Sequence, residues 1–200
     1  TVRGGPAPIG NFFADAFMNF YGKVAPNAAV MNGGGIRSDK KWPAGSVSVG
    51  DVISWDPFGN IITVIETDGV SLKKFLQYEL VQSCGATSVI SSSFYTHNAG
   101  FYFEYVCQGL NKGELKKLTW NNANGASIQD SDKVVLAISD YWETIFRQAG
   151  GITKFIINPK EGAPSNVLLE AYIDSNKGDI CPSTTDIRSS ITFQIPSIVS

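Results

Sequence analysis

Asn32-Gly33-Gly34-Gly35-Ile36-Arg37 and, farther along, Pro57-Phe58-Gly59-Asn60 are the two stretches whose residue types could do binding chemistry together. Three successive glycines permit positive φ and let backbone N–H groups approach a ligand with no Cβ in the way. Arg37 ends that run with a planar guanidinium fork matched to phosphate or carboxylate oxygens. Phe58 lies between a stiff Pro57 and a bare Gly59, which suits a ring that stacks a base. Each feature alone also has a plain structural explanation: a tight turn, a solvated cation, and a β-turn whose Phe plugs the core. Taken together they suit a nucleotide or nucleoside.

Hydrolysis of a phosphate ester needs an activated water, usually made by metals that His and Asp clusters hold. His97 is the sole histidine and has no metal-type partner nearby, while the carboxylates are scattered. No Gly-x-Ser-x-Gly elbow accompanies His97. No catalytic residue, metal ligand or cofactor site is therefore expected, and the chain alone should not turn over substrate. His97 is read as a structural polar residue or a wall of a pocket. Cys84, Cys107 and Cys181 lack Cys-x-x-Cys spacing. A Cys84–Cys107 disulfide, from a helix end to a strand, and burial of small apolar thiols remain equal alternatives.

These residues need elements to hold them. Apolar side chains at Phe12, Phe13, Ala16, Phe17 and Phe20 form a helix-period stripe over 11–22, with Asp15 and Asn19 off it. Residues 27–31 and 60–67 read as strands. A helix over Ser71–Gln82 is expected to open on a Ser71 cap and to bury Leu72, Phe75, Leu76 and Leu80. Phe101–Val106, Leu115–Trp120 and Lys133–Ser139 read as strands, with a turn over 121–132. Phe155–Ile157 is short and apolar, Asn158–Ser165 is a loop, Val167–Asn176 a helix and Ile191–Ile195 a strand. Trp42, Trp55, Trp120 and Trp142 are expected in the core or at its rim. Lys40-Lys41 and Lys116-Lys117 are expected in solvent. Strands and helices without strict βαβ alternation indicate α+β, a mixed β-sheet with packed helices.

The chain has 200 residues, 43% hydrophobic content and a formal charge of −2. One domain over 1–200 with a real core follows. With Arg3, Arg37, Arg147 and Arg188 as its only arginines it has no basic stripe for nucleic acid. No run is long and apolar enough for a membrane helix, the N-terminus lacks signal-peptide character, and no Asn-x-Ser/Thr sequon occurs.

The two opening motifs, in this order, resemble the C-terminal domain of the 5'-nucleotidase family. Val2-Arg3 and Ile9-Gly10-Asn11-Phe12-Phe13-Ala14-Asp15-Ala16 are similar to the family's opening motif. Ala29-Val30-Met31 leads into Asn32–Arg37, and Gly45–Val52 matches the segment before its Pro-Phe-Gly motif. Asp68-Gly69 with Leu72 and Leu76, Asn98-Ala99-Gly100-Phe101, and Val135–Tyr141 continue the likeness. The resemblance implies a pocket in which Arg3 and Arg37 neutralise phosphate, and Asn32 with the Gly33, Gly34 and Gly35 amides shapes the site. Phe58 and a second ring would sandwich the base, with Asn60 and Gly100 lining it.

Spacing from the strand nominates Tyr141 as that second ring, whereas spacing from Gly150-Gly151 nominates Phe146. Tyr141 is favoured because Ser139-Asp140 precede it, and the residues between then form an inserted helical turn or two. The family's Gly-Gly-Asp-Gly run, whose aspartate holds the ribose hydroxyls, is replaced here by Gly150-Gly151-Ile152.

The resemblance further implies an N-terminal metallophosphoesterase domain or chain, carrying two divalent metals, as partner. It implies an extracellular or periplasmic location and a role in nucleotide catabolism. Thr1 then reads as a processed or engineered boundary, so a missing signal peptide says nothing about export. The alternative is a stand-alone, non-catalytic nucleoside-binding or interaction module on the same fold.

Overall fold

In the computed structural model, residues 2–37, 45–89, 94–149, 151–176 and 185–194 are described. Lys40, Lys41, Trp42, Gly150, Cys181 and Ile195 lie outside them. The elements run α1 (Pro8–Phe20), β1 (Ala28–Asn32), α2 (Val49–Trp55), β2 (Ile61–Asp68), α3 (Gly69–Val81), β3 (Thr96–Ala99), β4 (Phe101–Gly109) and β5 (Lys112–Trp120). They continue with β6 (Lys133–Ser139), α4 (Asp140–Ala149), β7 (Lys154–Ile157), β8 (Ala163–Pro164), α5 (Ser165–Ser175) and β9 (Ser189–Phe193).

One sheet has the order β3-β1-β6-β2-β7, with β8 pairing to β2; the other has the order β5-β4-β9. β1 is parallel to β6, and β9 to β4, while the remaining pairs are antiparallel. The fold is thus α+β with mixed sheets.

The central strands are apolar on both faces because helices cover both. Ala28 and Val30 of β1, with Val134, Leu136 and Ile138 of β6, join Leu72, Phe75 and Leu76 of α3 and Trp142 and Phe146 of α4 in one core. The alternate residues Ala29, Met31, Val135 and Ala137 join Phe12, Phe13 and Phe17 of α1 and Leu168 and Leu169 of α5 in the other. This period-two division lets one strand serve two cores.

Local chemistry starts the helices. Pro8 sits at the beginning of α1, where its missing N–H would have had no helical partner. α2 carries a reciprocal cap absent from the sequence-based expectations: Asp51 N–H donates to Ser48 Oγ, and Ser48 N–H donates to the Asp51 carboxylate. α3 is capped by Asp68, whose Oδ1 accepts from Ser71 N–H at 2.8 Å. The expected Ser71 cap is therefore corrected: the helix starts earlier, at Gly69, where a Cβ would lie 1.9 Å from the Gln129 carbonyl oxygen.

Cys84, just past α3, is disulfide-bonded to Cys107 of β4. At the other end of the chain, Arg188 Nη1 and Nη2 donate to the Asp15 carboxylate at 2.7 and 2.9 Å. Asn11 Nδ2 donates to the Asp186 carbonyl at 2.8 Å. The segment before β9 is thereby fastened to α1.

Candidate functional site

β1 delivers Asn32 to a turn formed by Gly33, Gly34 and Gly35. None of these three glycines has positive φ; at Gly33 and Gly35 the turn needs glycine for close approach. A Cβ at Gly33 would lie 2.1 Å from the Val2 carbonyl oxygen, and one at Gly35 would lie 2.5 Å from Met31 Cε and 3.0 Å from Asn32 Oδ1. Gly33 N–H donates to the Tyr95 carbonyl at 2.8 Å, and Gly35 N–H to the Asn32 carbonyl at 3.0 Å. Two of the glycine N–H groups are thus engaged within the protein, that of Gly33 across to the residue before β3 and that of Gly35 within the turn.

Arg37 leaves this turn with its N–H donated to the Trp55 carbonyl, 2.8 Å away at the end of α2. Its guanidinium folds back, donates through Nη1 to the Gly34 carbonyl and stacks over the Phe58 ring, 4.8 Å from the centroid. This cation–π contact joins the glycine turn to the Pro57-Phe58-Gly59 turn.

That second turn is built on Asp56, which is 2% exposed and accepts a hydrogen bond from Ser165 Oγ. Burial raises the Asp56 carboxyl above its ordinary range, opposed by the Ser165 hydroxyl and by the Gly59 and Phe58 amides facing it. Gly59 takes φ 57°, the left-handed value that a glycine adopts without strain. Phe58 is left 52% exposed.

Tyr141 comes from the start of α4. Ser139 Oγ accepts from Trp142 N–H at 3.3 Å and Asp140 Oδ1 from Tyr141 N–H at 2.8 Å. Trp142 and Phe146 are fully buried, with rings 5.1 and 4.9 Å from that of Phe75. Tyr141 points away from this anchor and is 49% exposed.

Asn32, Gly34, Gly35, Arg37, Phe58, Asn60 and Tyr141 together line one cleft of about 220 Å³. Among these described residues Arg37 carries the only charge. Asn32 is 5% exposed and its Oδ1 has no hydrogen-bond partner, which leaves a buried acceptor at the cleft wall. The volume is below the roughly 300–1,000 Å³ of drug-sized ligand pockets, enough for one planar ring system with the rest of a ligand outside.

Four residues nominated from sequence fall elsewhere. Phe146 is core, because the helical turn i to i+4 that buries Trp142 also buries it. Gly100 (φ 83°) closes the β3–β4 turn against the Asn27 backbone, at the opposite end of β1 from the cleft, roughly 13 Å away at about 3.3 Å per residue. Gly33 lies under the Val2-Arg3 backbone, and Arg3 reaches the glycine turn through its main chain without lining the cleft.

His97 is likewise a core residue. Its Nε2 lies 2.7 Å from the Val2 carbonyl oxygen, and burial pulls its pKa down to about 4. A Cβ on Gly10 would fall 2.1 Å from its Nδ1, which explains the glycine in α1.

Sequence reading missed Asp56 and Ser165. The Asp-Pro-x-Gly order is a turn signature that could have flagged Asp56, but Ser165 is remote in the chain. A larger groove of about 860 Å³ lies between α3 and β5. Three of its lysines are paired internally, Lys73 with Asp130, Lys116 with Glu114 and Lys117 with Glu104. Among its described residues none has an unsatisfied buried group comparable to Asn32 Oδ1. Among the described residues no three His, Cys, Asp or Glu side chains gather as a metal site.

A model of the 5'-nucleotidase C-terminal domain matches residues 1–155. Endonuclease YhcR of Bacillus subtilis (strain 168) is 28% identical over 140 residues, which are 70% of this chain and 10% of that protein. Among solved structures, the 5'-nucleotidase precursor of Thermus thermophilus matches 96% of this chain with a TM-score of 0.80 at 16% identity. The NAD nucleotidase of Haemophilus influenzae matches 95% with a TM-score of 0.67 at 18% identity. This chain spans 36% and 34% of those two chains, and at such identities the likeness concerns the fold. With the family model covering more than half its length, the chain belongs to the 5'-nucleotidase C-terminal domain family.

Proposed function

We propose that this domain recognises the substrate of a 5'-nucleotidase-type phosphate-ester hydrolase, holding a nucleotide or nucleoside in the cleft with its base between Phe58 and Tyr141. The observation that carries this reading is the convergence of two half-exposed rings, Arg37 and the unpartnered Asn32 Oδ1 on one cleft. Stacking is tolerant of base identity, so the rings supply affinity, and Asn32 and Asn60 supply polar contacts. Arg37 meets phosphate with whichever of its donors remain outside the Gly34 contact, and Arg3 is retained as a second cation that a bound phosphate could draw in.

The metals of such a hydrolase do not fit this chain's described residues, which offer no ligand cluster. They are assigned to an N-terminal metallophosphoesterase domain or chain, a partner supported by the chain's spanning about a third of its solved relatives. A role in nucleotide catabolism outside the cytoplasm is supported by the Cys84–Cys107 disulfide, since such bonds persist in oxidising compartments. No described helix is long and apolar enough to cross a membrane.

The second reading, a nucleoside-binding module without catalysis, is favoured by one observation: Arg37 is already engaged by Gly34 and Phe58. Calorimetry with adenosine and AMP at fixed salt tests both readings. Tighter binding of AMP supports the nucleotide site, equal binding supports the nucleoside module, and no binding of either overturns the assignment of the cleft. The isolated chain is expected to release no phosphate from AMP with zinc, manganese or magnesium present.

A further inference from the structure

The buried part of the Phe58 turn is its support, while its ring is exposed. Ser165, the first residue of α5, is 1% exposed and grips the Asp56–Asn60 segment at both ends. Its Oγ donates to Asp56 Oδ2, and its N–H donates to the Asn60 carbonyl at 2.8 Å. Asp56 N–H in turn donates to the Val52 carbonyl near the end of α2, at 3.1 Å. The Phe58 and Gly59 amides face the Asp56 carboxylate outside strict hydrogen-bond geometry, and its Oδ1 has no partner. Pairing of Ile61 with Pro164 continues the same junction into β2 and β8.

We infer that Asp56 and Ser165 form a positioning pair that fixes the Phe58 ring in the cleft, so that affinity for a stacked base is set from α5. The inference rests on the proposed nucleotide or nucleoside site. Neither residue lines the cleft, so neither touches the ligand; each acts through the ring. A carboxyl is not required for its charge: in an Asp56→Asn variant the side-chain amide retains an oxygen that accepts from Ser165.

The test combines AMP calorimetry with a double-mutant cycle on the 200-residue chain. Asp56→Ala and Ser165→Ala are expected to weaken AMP binding by no more than the roughly tenfold of Phe58→Ala. Asp56→Asn is expected to stay within about twofold of the parent. In a Phe58→Ala background, Asp56→Ala is expected to add nothing, whereas a merely structural residue adds its full effect. Additive losses, or unchanged affinity in both Asp56→Ala and Ser165→Ala, overturn the inference. Should Asp56→Ala fail to fold, the Ser165→Ala arm carries the same cycle.

If the parent binds no AMP, the nucleotide reading falls while the positioning claim is judged without ligand. NMR then follows the contact between the Arg37 guanidinium side chain and the Phe58 ring. Its loss in Ser165→Ala and persistence in Asp56→Asn supports the pair, and its persistence in both overturns it.

Discussion

The two aromatic walls of the cleft are held by different balances of apolar packing and hydrogen bonding. Tyr141 rides on a helix whose inner side chains, Trp142 and Phe146, are buried against Phe75, so dispersion and apolar burial do most to locate it, with the Ser139 and Asp140 side chains capping the first turn. Phe58 rides on a five-residue turn located by hydrogen bonds from Ser165 and by the left-handed Gly59. Apolar packing is non-directional and sensitive to lost volume, whereas the polar clasp is directional and sensitive to a lost acceptor. Damage behind Tyr141 should therefore appear as lost stability, and damage behind Phe58 as lost affinity.

The sharpest test of that contrast is Phe146→Ala, expected to cost about 3–5 kcal/mol of unfolding free energy in a urea titration. Ser165→Ala, which removes one hydrogen bond behind Phe58, should cost only about 0.5–1.5 kcal/mol. Equal costs for the two would erase the distinction.

The apolar side carries a second signature in Glu79 of α3, which is fully buried with neither carboxylate oxygen partnered. Burial pushes its pKa from 4.5 up to about 8. The folded state therefore holds its proton more tightly than the unfolded state. The associated stability is complete below about 4.5 and falls as pH rises through about 8. Urea midpoints should decline over that window, and Glu79→Gln should flatten the decline; a parent profile as flat as that of the variant would rule Glu79 out.

On the polar side the effects move to the ligand. Phe58→Ala should weaken nucleoside binding roughly tenfold, within the 1–3 kcal/mol of one stacked base. An unchanged dissociation constant would remove the ring from the site. The smallest change is expected for Arg37→Lys, which keeps the charge but loses the planar stack and fork, on the order of 0.5–1 kcal/mol. It should narrow the preference for AMP over adenosine; an undiminished preference would place the phosphate on another cation.

What can be read from the chain follows the same contrast. β1, β2 and β6 announce themselves through runs of apolar and β-branched residues, because burial on both faces leaves little room for anything else. β3 does not, since Thr96, His97 and Asn98 are polar residues in a buried strand. Two of them are satisfied by distant or irregular partners, His97 by the Val2 carbonyl and Asn98 by that of Phe101. α2 escapes notice because seven residues show too little periodicity, although its Ser48–Asp51 cap is written in the sequence.

For the cleft, Asn32, Arg37, Phe58, Asn60 and Tyr141 are legible through motif order. Gly100 and Phe146 fall elsewhere because linear spacing does not say which end of a strand or which side of a helix a residue occupies. The glycine triplet stands out in the sequence for its φ freedom, yet the fold uses Gly33 and Gly35 for space against Val2 and Met31.

The fastening of Asp186 and Arg188 to α1 has a consequence for how the domain is made. β9 adds in parallel to β4, so the second sheet acquires its third strand only after the chain has returned from α5. Until then Asp15 lacks its guanidinium partner, and the β4 edge presents unpaired backbone groups rich in neighbouring aromatics. During synthesis the Asn11 and Asp15 side chains of α1 therefore gain these partners only once the segment before the last described strand has been made. In that interval the Phe103–Cys107 edge is open to pairing with another extended chain, which gives a chaperone reason to cover it.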